Sequence, residues 1–122
     1  MFTVDRLTQL LAAAVSRVLS TFWNDFLSFI KNSFVRIIQK IPKTAGVRLE
    51  NMLKIDGGNV IQVVNFYFWI GDFCVCIEAR RKIRKDMHVI EPELLPEEYR
   101  TLRDTGTVNL TQSVNEKLQL KI

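Results

Sequence analysis

Glycine and proline are scarce in this chain and absent from its first third. The 122 residues include five glycines and three prolines, and none of these eight lies within residues 1–41. Both residue types disfavour helix interiors, proline most strongly. Their absence from an apolar stretch of this length predicts a helical arm over residues 1–41, and residues 42–122 form the predicted sheet domain.

Cysteine is also scarce, which limits the metal and redox chemistry that the chain can support. Cys74 and Cys76 are the only two cysteines. Two residues apart on a predicted strand, they share one side of it, and a disulfide between them would be strained. This favours a reducing intracellular compartment. Zinc usually takes four ligands, and only His88 and carboxylates remain to complete a set, so no metal or cofactor site is predicted.

Signatures of catalysis are missing as well. The sequence holds no P-loop, no glycine-rich dinucleotide fingerprint, no nucleophile elbow and no zinc-protease helix motif. The acids at Glu91, Glu93, Glu97 and Glu98 surround two prolines, a composition typical of a solvated loop. We therefore predict a protein that is not an enzyme and has no catalytic residues.

The arm itself has a broad apolar side. Apolar residues recur every three or four positions, as on one face of a helix, and the predicted contact set is Leu7, Leu11, Val18, Phe22, Phe26 and Phe29. After Lys31 polar residues move onto this face. The shift predicts a kink or break at residues 31–33, with Ser33 capping a second helix over 34–41 that Pro42 ends.

Four uses of this arm are open. It could pack on its own sheet, join sister subunits, insert into or lie on a membrane, or fill a groove in a partner protein. Arg17, Asn24 and Asp25 interrupt the roughly 20 apolar residues that a membrane span requires. That objection does not apply to a helix lying at the bilayer surface, because its polar residues can face water.

The central sequence predicts an antiparallel meander. Residues 47–55, 60–70 and 73–83 read as strands joined by turns at Asp56–Asn59 and Gly71–Asp72. The turns place Ile70 opposite Phe73 and Leu49 opposite Phe66. One face is the predicted core (Leu49, Leu53, Val64, Phe66, Phe68, Val75 and Ile77). The other presents Tyr67 and Trp69 as a predicted contact face.

The remaining sequence is less regular. Residues 87–90 read as a short fourth strand, and Pro96 opens a short helix near 96–103 that ends before Gly106. Alternation over 108–114 and 118–122 predicts one or two final strands. The predicted fold class is therefore α+β: a long N-terminal helix, an antiparallel meander, a short helix and C-terminal strands.

One charged segment stands out within a net charge of +4. Residues 80–85 contain five basic side chains, at Arg80, Arg81, Lys82, Arg84 and Lys85. Such a run suits a solvated strand end, nucleic-acid phosphates or anionic lipid headgroups. No stacking aromatic residues are interleaved with it.

Together these patterns favour an assembly or scaffold protein that forms homo-oligomers or docks on a partner protein through its arm. Its size and architecture suit a small structural component of a viral or phage particle. One alternative is a peripheral membrane protein with the arm at an anionic bilayer. Another is a nucleic-acid-binding protein that uses the 80–85 run.

Overall fold

The computed structural model describes residues 1–119, and its architecture confirms the α+β class. Helices are α1 (Val4–Arg17), α2 (Thr21–Ile37), α3 (Met87–Ile90), α4 (Pro96–Thr105) and α5 (Thr111–Gln119). Strands are β1 (Phe2–Thr3), β2 (Gly46–Asp56), β3 (Asn59–Ile70), β4 (Phe73–Ile83) and β5 (Thr107–Asn109).

The arm is helical, but its break lies earlier than the sequence indicated. The chain leaves helical geometry between Arg17 and Thr21, where the Ser20 side chain accepts a hydrogen bond from the Trp23 backbone N–H at 3.3 Å. The predicted break at 31–33 is wrong, because α2 runs through it. Ser33 is buried on the side of α2 that packs on the core. Because serine is polar, it interrupts the apolar pattern of the sequence at a point where the helix is continuous.

The strand register is confirmed. Ile70 pairs with Phe73, and Leu49 pairs with Phe66. In the second turn only Gly71 has a positive φ, +59°, as a type II′ hairpin requires. A two-residue turn fixes which residues face each other along both strands, so the sequence determines the register locally.

Both long helices cover one face of this sheet. Phe34 of α2 stacks on Phe66 and Phe68 of β3, with ring centroids 5.6 and 6.1 Å apart. Of the predicted core residues, those on β2 and β3 are at most 2% exposed, which confirms them: Leu49, Leu53, Val64, Phe66 and Phe68. The prediction is wrong for Val75, which is 42% exposed, and Ile77 is only half-buried. Both lie on β4, near the margin of the helical layer.

Backbone hydrogen bonds attach the start of the arm to the sheet. Phe2 pairs with Val47 across β1 and β2. Next to this pair, the Val4 N–H donates to the Ala45 carbonyl at 2.9 Å, and the Asp5 N–H donates to the Lys43 carbonyl at 3.0 Å. The start of α1 and the segment that follows α2 are therefore hydrogen-bonded to each other beside β2.

The C-terminal third differs most from the prediction. Residues 87–90 are helical instead of a strand, and of the region 108–114 only 108–109 pair as a strand, in β5 on β2. The Asn109 side chain accepts from the Thr111 N–H at 2.8 Å as α5 begins, and Leu110, Val114 and Leu118 then repeat every four residues on the core side. The strand predicted at 118–122 is wrong at 118–119, and 120–122 lie outside the described residues. The helix predicted near 96–103 is confirmed as α4.

Candidate interaction site at the sheet edge

The predicted contact residues of the arm lie in the protein's own interior. Leu7, Leu11, Phe22 and Phe26 are at most 6% exposed, and Val18 and Phe29 pack half-buried against the same core. A partner reaches the four buried side chains only if the fold opens. The apolar faces that could meet a bilayer are likewise turned toward the sheet.

The basic run alternates between the two faces of the sheet along β4 and converges where the strand ends. Alternation along β4 places Arg80 and Lys82 on one side of the sheet and Arg81 on the other. Beyond the strand, Arg84 and Lys85 join Lys82 around a groove of about 450 Å³. Arg81, Lys82, Arg84 and Lys85 also line a second groove of about 250 Å³, together with Phe22 and Asp25. Four of the five predicted anion-binding residues are thus brought together.

Arg81 has a structural environment of its own. Its Nε donates to Gln62 Oε1 at 2.7 Å, and Gln62 Nε2 donates to the Phe26 carbonyl at 3.0 Å. The guanidinium lies 5.3 Å from the centre of the Phe29 ring. Burial lowers the pKa of Arg81, and the nearby Asp25 charge opposes that shift. The side chain therefore ties β4 to β3 and α2.

The sheet face opposite the helices is here called the open face. It carries Tyr67 and Trp69, which are half-buried and lie outside the core cluster of the described residues. The Arg48 guanidinium is 5.0 Å from the Tyr67 ring centre and 5.9 Å from that of Trp69, within the range of cation–π attraction. The Glu50 charge raises the pKa of Tyr67. The predicted contact pair thus shares this face with an arginine.

The outer edge of β4, here called the free edge, is unpaired. Within residues 1–119, β4 pairs only with β3, whereas the outer edge of β2 is covered by β1 and β5. Ile70 and Phe73 close a two-residue hairpin and exchange both backbone hydrogen bonds. The odd-numbered residues of β4 therefore bond to β3, and the even-numbered residues 74–82 direct their N–H and C=O groups outward.

The two halves of the free edge have different chemistry. Residues 73–77 are uncharged, and Phe73 and Val75 are 75% and 42% exposed. From Glu78 onward the strand is charged, with a salt bridge of 3.3 Å between Arg80 and Glu78. Natural sheets usually protect edges with charge, proline or bulges. The second half has such protection, and the first half lacks it.

A groove adjoins this edge on the helical side. It lies between α2 and β4 and measures about 380 Å³. Phe29, Ile37, Ile77 and Ala79 supply its apolar walls, and Ser33 lines it as well. Its remaining lining is charged: Arg36, Glu78 and Arg80. The Ser33 hydroxyl is buried without a hydrogen-bond partner among the described residues.

Sequence reasoning missed this site because it assigned Phe73 no role and placed Val75 in the core. A usable signal was present. Five uncharged residues, 73–77, precede the basic residues of the same strand. That contrast is typical of an edge strand in which one half is open to pairing.

The described residues show no membrane-spanning helix and no cluster of metal ligands, and comparison with known proteins suggests no family. Within residues 1–119, no helix combines the length and apolar character needed to cross a bilayer, and no three histidine, cysteine or acidic side chains are grouped as metal ligands. Cys74 and Cys76 are free and exposed. Comparison with family models, curated proteins and solved structures finds no match for this chain.

Proposed function

We propose that this chain is a non-enzymatic assembly protein whose free edge, rather than its arm, forms the contact between subunits. The observation that carries the proposal is the uncharged segment 73–77, exposed at residues 73–76, on a strand whose outer edge is unpaired within the described residues. Exposed edge groups readily accept another strand, and exposed apolar side chains add to the gain when they are covered.

The topology suits a limited assembly. Among the described strands β4 alone leaves a long edge open, so pairing there joins two sheets and uses the edge on both. Growth beyond a pair needs a second surface. The open face with Tyr67 and Trp69 is our candidate for it, and a place in a viral or phage particle stays a prediction that requires both surfaces.

Sedimentation velocity over a range of concentrations tests this proposal. We expect the wild-type protein to sediment as an oligomer and Val75→Lys to lower its mass to that of the monomer, because lysine opposes edge pairing. Val35→Lys is the matched control. Val35 is 41% exposed, like Val75, but lies on α2. Its substitution should leave the mass unchanged, and a wild-type monomer at every concentration would contradict the proposal.

A second candidate function follows from the open face. Aromatic side chains with nearby cations bind single-stranded nucleic acid by stacking and phosphate contacts. Tyr67, Trp69 and Arg48 supply such a combination, and the exposed Arg80 and Lys82 lie on the same face. This candidate nucleic-acid site differs from the one predicted at residues 80–85, because it includes only Arg80 and Lys82 of that run.

Binding of a labelled single-stranded oligonucleotide, followed by fluorescence anisotropy, tests this second function. Trp69→Ala should weaken binding by about 1–3 kcal/mol through the loss of one stacked base. Phe73→Ala, which removes an exposed aromatic ring away from the open face, should leave affinity unchanged. Equal losses in both variants, or no binding at low salt, would exclude nucleic-acid recognition by this face.

A further inference from the structure

We propose that two copies of the chain pair through antiparallel β4 strands about a two-fold axis at Cys76, with Phe73 of each copy inserted into the α2–β4 groove of the other. This inference rests on the proposed assembly function and specifies its contact. It joins the two sheets into one, with the helices of both copies on the same side.

The free edge permits this pairing geometrically. Its outward N–H and C=O groups belong to even-numbered residues, so an added strand must form its hydrogen-bonded pairs there. Pairing Cys76 with Cys76 of the second copy satisfies that condition. It also sets Cys74 opposite Glu78 and, on the helical side, Val75 opposite Ile77.

Side-chain chemistry distinguishes this register from its neighbours. A shift of two residues in one direction opposes Asp72 to Glu78, two like charges. The opposite shift sets Phe73 against Arg81, which already bonds to Gln62. The proposed register instead opposes Asp72 to Arg80 at each end of the paired segment. Exposed charge pairs of this kind select a register more than they add affinity.

The groove supplies the second, reciprocal contact. Phe73 faces Ala79 of the other copy in this register, and directly opposed residues point to the same side of a sheet. That is the side on which Ala79 lines the groove. The groove is open to solvent and has a volume of about 380 Å³, which leaves room for a phenyl ring against its apolar walls. Each copy therefore carries both the ring and its receptor, as an isologous contact requires.

Thiol cross-linking in solution tests the register. Cys76 of one copy lies opposite Cys76 of the other, about 5.5 Å apart between Cα atoms in a hydrogen-bonded pair. The two Cys74 residues are four positions apart along the strands, about 14 Å. With a short bifunctional thiol reagent, Cys74→Ser, which retains Cys76, should give a covalent dimer. Cys76→Ser, which retains Cys74, should not.

Mutation of the inserted ring tests the groove contact. Phe73→Asp should reduce the sedimenting mass to that of the monomer and abolish the Cys76 cross-link. Its circular dichroism should remain that of wild type, because Phe73 is 75% exposed. Leu19→Asp is the control, since Leu19 is 96% exposed on the α1–α2 connection. This variant should retain both the mass and the cross-link.

Charge exchange gives a test independent of the thiols. Asp72→Arg and Arg80→Asp should each lower the oligomeric fraction, and the double variant should restore it. An oligomer that cross-links through Cys74 but not Cys76, or that Phe73→Asp leaves intact, overturns this inference while the assembly function stands. A wild-type protein that neither sediments above monomer mass nor cross-links overturns both.

Discussion

Replacing Phe34 by alanine should lower the free energy of unfolding by about 3–5 kcal/mol, the usual cost of deleting a buried phenyl ring. Phe34 is fully buried and stacks on Phe66 and Phe68. It is therefore a principal contact between α2 and the sheet. Since small domains are stable by only about 5–15 kcal/mol in total, chemical denaturation should show a large shift of the midpoint.

The neighbouring residue provides the control for this measurement. Val35→Ala removes apolar atoms from the next position of the same helix, where the side chain is 41% exposed. Its effect should stay within about 0.5 kcal/mol, as for most surface substitutions. Similar losses in the two variants would mean that α2 does not pack on β3 through Phe34.

The Gln62–Arg81 pair should show strong non-additivity. Gln62→Leu removes the acceptor of the half-buried Arg81 side chain and the donor to the Phe26 carbonyl. Arg81→Met leaves the fully buried Gln62 Oε1 without its partner. Each single change should cost roughly 1–3 kcal/mol, the desolvation penalty of an unpaired buried group.

The double variant should cost less than the sum of the two. Leucine and methionine together remove both polar partners, so little buried polar surface is left unpaired. A double-mutant cycle from denaturation curves should give a coupling energy of about 0.5–3 kcal/mol. Strict additivity would mean that the 2.7 Å contact does not link β3 to β4 energetically.

Register was the part of the fold that sequence could predict most closely. Turns of two residues at Gly57–Gly58 and Gly71–Asp72 join β2 to β3 and β3 to β4. Such turns act over a few neighbouring residues, so their consequences extend along the strands without knowledge of distant contacts. The break between α1 and α2 was less accessible. No glycine or proline marks residues 18–20, where the chain leaves helical geometry. The polar Ser33 instead suggested a break at 31–33, where α2 is continuous.

The candidate site was harder to predict for a related reason. Phe73 and Val75 alternate on the same side of β4 as the buried Ile83. Periodicity alone therefore assigned Val75 to the core and gave no reason to expect Phe73 to be exposed. Their exposure follows from where α2 lies across the sheet. That position depends on contacts such as the one from Gln62 to Phe26, which join residues 36 positions apart.

The packing of α1 and α2 on a sheet that follows them in the chain has a consequence during synthesis. Synthesis proceeds from the N-terminus, so α1 and α2 leave the ribosome before β3 does. Phe22, Phe26 and Phe34 then have no sheet to cover them until about thirty further residues have emerged. At typical elongation speeds of 5–20 residues per second, that interval lasts roughly 1.5–6 s. During it the nascent chain exposes aromatic side chains that the folded molecule buries.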